Sequence, residues 1–482
     1  MNYSVVIYIL GWIMEIEAAF LALPGIVSAI YGEKGGFAFL WVALGSAVAG
    51  SMIILHKPKN MRFYLREGFV TVALSWILMS VIGCLPFVIN GDIPHFADAL
   101  FEMISGFTTT GATVVSDVEG LTKGSLFWRS FSHWIGGMGV LVFLLAIVPM
   151  AGGSHMNLMK AESPGPSVGK LVPKVRQTAK YLYIIYFALT MIEVIFLLFG
   201  GMNLFEALTT SFGTAGTGGF AIWNDGFVSV SPYNQWVVTI FMLLFGVNFG
   251  FYFLILTGKL RDALKFEEVR IYFIIVIASA VFIFINLRHF ALYAPAEGIR
   301  QAFFQVASII TTTGFASADF NLWPETSRTI LVLLMFIGAC AGSTGGGIKV
   351  SRFIIACKSF IKEIISYLHP RSVKKIKIEG KPLEHETLRA TNVYFMTYMV
   401  IFAVSVLLVS IENKDLVTNF AAVAATFNNI GPGLSLVGPM ANFGHFTDFT
   451  KYILMFDMLA GRLEIFPMML LFCPAVWKRR RA

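Results

Sequence analysis

Thr311-Thr312-Thr313-Gly314-Phe315-Ala316 is polar, carries no charge, and lies between two long apolar runs. Near-copies recur as Thr108-Thr109-Thr110-Gly111-Ala112-Thr113, Gly216-Thr217-Gly218-Gly219-Phe220-Ala221 and Asn428-Asn429-Ile430-Gly431-Pro432-Gly433. Each copy follows a hydrophobic span and a short amphipathic segment, and each precedes another span. One such stretch means little, because Thr-Gly is common in helix connections. Four at equivalent places predict four loops that meet at one axis and line an ion pore with backbone carbonyls.

Composition sets the solvent. The 482 residues are 57% hydrophobic and 13% charged, with mean hydropathy +0.75; soluble domains carry roughly 25% charged residues. Apolar runs of roughly 20 residues, long enough to cross about 30 Å of hydrocarbon, recur along the whole length. Helical periodicity throughout disfavours a β-barrel. The expected class is an all-α polytopic membrane protein. The net charge of +8 would suggest nucleic acid in a soluble protein. Here the cations cluster in loops on one side, as topology requires, and no nucleic acid partner is expected. Cys84, Cys340, Cys357 and Cys473 lack metal-type spacing and read as small apolar residues. The N-terminal run Val5 to Ile30 has no cationic start or clear cleavage site, so it reads as a retained helix.

Working outward from the loops, the spacing predicts a two-helix extension in residues 1–66, with spans Val5 to Ile30 and Phe37 to Leu55. Four span–half-helix–span modules follow, over 67–180, 181–270, 271–390 and 391–482. The short helices, too short to cross, are Phe96 to Phe107, Asn203 to Phe212, Ala296 to Ile310 and Leu416 to Phe427. Return spans are expected over Leu126 to Met150, Trp236 to Leu256, from near Ser327, and over Phe449 to Phe472. If the short helices do not cross, every strongly basic loop falls after an even-numbered span. About ten crossings result, with both termini cytoplasmic and the repeats parallel around a pseudo-fourfold pore.

The loop chemistry fits a bare monovalent cation. Non-helical backbone at membrane depth is tolerated where it lines a cavity, and carbonyl rings replace an ion's water. Glycine allows the angles that turn those carbonyls. The negative ends of the short helices would face the pore. Neutral oxygens also avoid the carboxylate ring of a divalent-cation site.

These loops resemble the four filter loops of the TrkH/TrkG/KtrB superfamily of potassium uptake proteins, on Thr108-Thr109-Thr110-Gly111, Gly218-Gly219-Phe220, Thr312-Thr313-Gly314-Phe315 and Asn429-Ile430-Gly431-Pro432. The resemblance covers essentially the whole chain, and the extra helix pair points to the TrkH branch. It implies potassium as the bound substrate, no cofactor on this chain, a fold related to potassium channels and a homodimer in a bacterial inner membrane. It also implies a cytosolic nucleotide-binding regulator of TrkA type. Its filter maps to Thr109, Thr110, Gly111, Thr217, Gly218, Gly219, Thr312, Thr313, Gly314, Asn429, Ile430 and Gly431. The second and fourth loops depart from Thr-Thr-Gly, which predicts a less symmetric and less stringent filter.

The third return span is interrupted at Gly338-Ala339-Cys340-Ala341-Gly342-Ser343-Thr344-Gly345-Gly346-Gly347-Ile348-Lys349. Each glycine costs about 1 kcal/mol in a helix relative to alanine, so the span should break below the filter. A glycine-lined helix contact is the plain alternative; the family has its intramembrane gating loop in this repeat. The expected gate comprises Gly342, Ser343, Thr344, Gly345, Gly346 and Gly347, with Lys349 holding the loop. No Gly-Lys-Ser/Thr follows, which excludes a phosphate-binding loop. Arg462, inside an apolar span, either pairs with Asp457 or Glu464 or faces a water-filled path; the resemblance implies a positive charge just beneath the filter, in or near the gate. Val373 to Pro382 alternates partly, which predicts a short hairpin that is either a solvated basic loop or a docking surface. His133 reads as a packing residue. A cation-coupled secondary transporter of a small solute is the rival reading; it would need broken helices at a midplane site and usually inverted repeats. No His, Asp or Glu cluster converges in the spans, so no enzyme is expected.

Overall fold

The computed structural model describes residues 1–61, 64–139, 175–369 and 375–478. The chain is a multi-pass helical membrane protein. Its only strands among the described residues are the two-residue pair Lys377–Ile378 and Lys381–Pro382. The expected hairpin therefore exists over 377–382; residues 373 and 374 lie outside the described residues.

Helices Tyr3–Ile30 and Gly36–Leu55 form the extension and pack on each other. Small residues let the two backbones approach: a Cβ on Gly50 would lie 2.9 Å from the Gly11 carbonyl oxygen. The chain ends meet beside this pair. The Met1 ammonium donates to the Lys478 carbonyl at 3.3 Å, and Tyr3 stacks on Trp477. Met1 and Lys478 therefore lie on one side.

Four modules follow. The outer helices are Leu65–Asn90, Val175–Phe199, Glu267–His289 and His385–Val409. Each packs against its own short pore helix, respectively Phe96–Phe107, Leu204–Gly216, Pro295–Ile310 and Leu416–Phe427. The pore helices start on local signals. Asn203 and Glu206 form a capping box, Pro295 occupies a first-turn position, and the Asp415 carboxylate accepts from the Thr418 amide at 3.0 Å. The inner helices begin at Lys123, Pro232, Glu325 and Asp448. Each inner helix packs on the pore helix of the next module, and the fourth packs on the first. That circuit closes the four modules into a ring.

Three differences from the sequence reading concern helix ends. The second pore helix runs on to Gly216 instead of ending at Phe212. The second return span is two helices, Pro232–Phe245 and Phe249–Leu256, bent by 89°. The fourth return span breaks between Asp448–Arg462 and Phe466–Leu471. The third breaks where its glycines predict, between Glu325–Ile337 and Val350–Leu368. The first inner helix is described over Lys123–Met138; its expected continuation to Met150 lies outside the described residues. Among the described residues, six helices are long and apolar enough to cross a bilayer unbroken, and the bent pair makes a seventh. The broken inner spans of the third and fourth modules account for part of the gap to ten.

Candidate functional site

Each pore helix ends in the same way. The amides of Thr109, Thr217, Thr312 and Asn429 bond three residues back, to Gly106, Thr214, Ile309 and Thr426. The next amides, of Thr110, Gly218, Thr313 and Ile430, bond five residues back, to Ser105, Gly213, Ser308 and Ala425. This is the Schellman arrangement, whose turning residue is left-handed and usually glycine. Here the turning residues are Thr109, Thr217, Thr312 and Asn429, with φ between 54° and 60°. A β-branched residue in that conformation is an outlier, costing about 1–2 kcal/mol. Asn tolerates it better, so the fourth copy relieves strain that the three threonines carry.

Two residues on, Gly111, Gly219, Gly314 and Gly431 are again left-handed, with φ of 76°, 79°, 84° and 97°. They are also places of close approach. A Cβ on Gly111 would overlap the carbonyl oxygen of Gly218, one on Gly219 that of Thr313, and one on Gly314 that of Ile430; on Gly431 it would lie 2.7 Å from that of Thr110. The contacts run from loop one to two, three, four and back to one. The twelve residues expected at the filter are therefore brought together, and the equivalent oxygen of each loop seats beside the preceding loop's glycine.

The loops are alike in backbone and unlike in side chains. Hydroxyls pair across Thr108 and Thr110 at 2.8 Å, and across Thr311 and Thr313 at 2.8 Å. The second and fourth loops have Gly218 and Ile430 there instead. Asn429 Nδ2 donates to Thr110 Oγ1 at 3.0 Å and to the Met458 carbonyl at 2.9 Å, closing the seam between the last loop and the first. Thr109 Oγ1 is buried with no hydrogen-bond partner among the described residues.

Two supports behind the loops were not singled out from sequence. Glu102, on the first pore helix, forms a buried ion pair with Arg129 at 2.7 Å and accepts from the Val114 amide at 3.1 Å and the Thr113 hydroxyl at 2.9 Å. Arg129 also covers the Phe220 ring at 4.2 Å. One ion pair thus braces the outer limbs of the first two loops. Charges inside pore-lining segments are the signal that could have found it. His133 is the second support. Its Nδ1 bonds the Gly106 carbonyl at 2.8 Å, and the Phe220 amide donates to Nε2 at 3.2 Å. A neutral ring with its proton on Nδ1 satisfies both. The packing role read from sequence is a seam between the first two modules.

The glycine-rich segment 338–349 lies directly beneath the ring. The Gly346 amide donates to Thr312 Oγ1 at 2.5 Å, and the Gly347 amide to the Asn428 carbonyl at 3.1 Å. A Cβ on Gly346 would come within 2.6 Å of that same carbonyl. The segment also uses the break in the second inner span: Cys340 N–H donates to the Gly246 carbonyl at 3.1 Å, and Phe249 N–H to that of Gly342 at 3.0 Å. Lys349 is buried, with φ 84°, and its ammonium donates to the Gly345 carbonyl. Ser343 turns back to the Cys340 carbonyl at 2.6 Å.

Arg462 reaches the same segment. It donates to the Thr344 carbonyl at 2.8 Å and, from the other side, to the carbonyls of Gly136 and Gly137, the latter at 3.2 Å. The two acids considered for it are engaged elsewhere: Glu464 pairs with Arg352, and Asp457 accepts from Ser405 at 2.6 Å.

Comparisons with known proteins identify the family and the fold. The family model described as "TrkH: Cation transport protein" matches residues 37–479. The Trk system potassium uptake protein TrkH of Escherichia coli K12 is 36% identical over 99% of this chain and 100% of its own length. TrkG of the same organism is 31% identical over 99% of this chain and 99% of its own. The crystal structure of the potassium transporter TrkH from Vibrio parahaemolyticus superposes with a TM-score of 0.87 at 32% identity, covering 99% of this chain and 100% of that one.

Proposed function

The chain belongs to the TrkH family of cation transport proteins, and from that premise we propose that it takes up potassium across a bacterial inner membrane through a channel-like pore. The observation that carries this is the closed order of the four loops, each seating its carbonyl against the preceding loop's glycine. Four quasi-equivalent oxygens with hydroxyls nearby suit a dehydrated monovalent cation. The filter is Thr109 to Gly111, Thr217 to Gly219, Thr312 to Gly314 and Asn429 to Gly431, with potassium as substrate and no other cofactor on the chain. The pore-helix C-termini add about half a negative charge each.

The gate is the segment Gly342 to Gly347, held by Lys349 and Arg462. Its amides on Thr312 and Asn428 support the assignment, because a segment bonded there blocks the path below the filter. Arg462 contributes the positive charge that opposes entry from beneath. Both termini face the cytoplasm, in keeping with the basic loops on that side and the contact between Met1 and Lys478. The protein works as a homodimer with a cytosolic TrkA-type nucleotide-binding subunit, for which the hairpin at 377–382 is the docking element. The test is the reversal potential of purified protein in vesicles under separate potassium, sodium and proton gradients. A potential that follows potassium supports the reading; one that follows none of the three ions overturns it.

A further inference from the structure

The segment beneath the filter is held at both ends by one side chain that is not part of it. Glu268, buried near the start of the third outer helix, offers a single oxygen, Oε1, to two backbone amides. Ala341 donates to it at 2.7 Å and Ser351 at 3.0 Å. Ala341 opens the polar half of the segment, and Ser351 lies in the first turn of the helix that follows it. One carboxylate oxygen therefore pins the entry and the exit of the loop to the same point. Beside this point the Val350 amide donates to the Ala339 carbonyl at 3.0 Å, and further bonds hold the loop to the filter, to the break in the second inner span and to Arg462.

The preceding residue is also a carboxylate, and it is tied to the cytoplasmic hairpin. Glu267 pairs with Lys358 at 2.5 Å and accepts from the Glu379 amide, in the hairpin turn, at 3.4 Å. Lys358 in turn donates to the Lys377 carbonyl, in the first strand, at 2.8 Å. Two consecutive carboxylates on one helix start thus serve two tasks: one holds the loop, the other holds the hairpin.

We propose that Glu268 is the latch of the intramembrane loop, and that the tie from Glu267 through Lys358 to the hairpin is the handle that releases it. The proposal rests on the gate reading given above. Displacing the hairpin pulls on Glu267, turns the first turn of the third outer helix, and draws Oε1 away from both amides together. The loop ends then part, and the loop leaves Thr312 and Asn428. Glu268 is a positioning residue, since it acts only through the loop.

The test uses full-length protein in potassium-loaded vesicles with no partner added. Glu268→Ala should raise basal potassium flux at least about tenfold, as loss of a charge-assisted hydrogen bond implies. Glu268→Gln keeps a carbonyl acceptor and should stay within about twofold of the wild type. Lys358→Met, which cuts the handle and leaves the latch, should leave partner-free flux well below that of Glu268→Ala; flux equal to it would overturn the handle. Amide exchange supplies a readout independent of flux: peptides spanning 339–351 should exchange faster in Glu268→Ala, with those of the pore helices unchanged. Deleting Gly345 to Gly347 tests the gate itself. If that deletion raises flux but Glu268→Ala changes neither flux nor exchange, the latch is wrong and the gate stands. If the deletion leaves flux unchanged, the gate reading fails, whatever Glu268 does. Faster exchange throughout the pore helices would mean general loosening and would also overturn the latch.

Discussion

The four pore loops and the four inner spans that follow them obey opposite rules. At the loops the turning residues agree within a few degrees of φ, although their side chains are Thr, Thr, Thr and Asn. Below them, the second inner span bends over three residues, the third opens into twelve, and the fourth breaks at Leu463-Glu464-Ile465. The breaks differ in kind as well as length. The third is rich in glycine, and its left-handed positions are glycines except for Lys349 at φ 84°. The fourth has Glu464 and Ile465 at φ of 60° and 68°, which tertiary contacts must hold, among them the Arg352–Glu464 ion pair. An ion site requires near-identical quadrants. A gate requires one quadrant that differs from the rest.

That contrast can be broken from the top. Gly314→Ser forces a side chain into the Ile430 carbonyl and strains a backbone at φ 84°. Potassium uptake should fall by about 100-fold or more, or lose its preference over sodium, in line with about 3 kcal/mol of misplaced oxygens. Reversal potentials under a potassium–sodium bi-ionic gradient measure it; unchanged selectivity would remove Gly314 from the filter.

Glu102→Gln comes next, because it leaves Arg129 buried with a weakened partner. Removing one member of a buried pair costs about 3–5 kcal/mol, and Gln, which still offers a carbonyl, should fall at the lower end. The thermal midpoint of detergent-solubilised protein should drop, and the first two loops should lose selectivity together. Arg462→Gln probes the other side of the contrast. It removes the charge and weakens the link between Thr344 and the first inner helix. Basal flux should rise several-fold, on the order of 1 kcal/mol, with the potassium–sodium permeability ratio unchanged. A changed ratio with unchanged flux would place Arg462 with the filter.

The smallest effect is at a pore-helix start. The hydroxyl and amide of Thr418 hold the Asp415 carboxyl below its usual range. A depressed folded pKa means the stabilisation is complete above the unfolded value, about 3.9, and is lost as pH falls through the folded one. Asp415→Asn should leave the midpoint near neutral pH almost unchanged and flatten its fall in acid. An acid profile identical to that of the wild type would show that this cap is silent.

Much of this was readable in the sequence because it is local. The pore helices Phe96–Phe107 and Leu416–Phe427 have the bounds that their amphipathic pattern and flanking turn residues dictate. The break at 338–349 follows from glycine content alone. The misses are tertiary. Gly213 and Gly216 lie beyond the expected helix end at Phe212, yet both are helical, and Phe315 and His133 occupy the space a Cβ would need at each. The fourth break had a signal in Pro467, which sits in the first turn of the helix that follows, but Leu463-Glu464-Ile465 itself favours a helix as readily as anything else and masked it. The second break had Gly246 and Asn248, but a capping residue inside an apolar run is easily read as part of the span. Glu102 and Arg129 are 27 positions apart, and nothing in either neighbourhood announces their pairing.

The seating of each loop's carbonyl against the preceding loop's glycine has an evolutionary consequence. A homotetrameric pore changes all four quadrants with one mutation, whereas this chain alters one quadrant at a time and strains its neighbour. Viable drift in ion preference must then come as compensated pairs running around the circle, Gly111 with Gly218, Gly219 with Thr313, Gly314 with Ile430, and Gly431 with Thr110. Carrying all four quadrants on one polypeptide therefore ties each quadrant's tolerated changes to those of its neighbour.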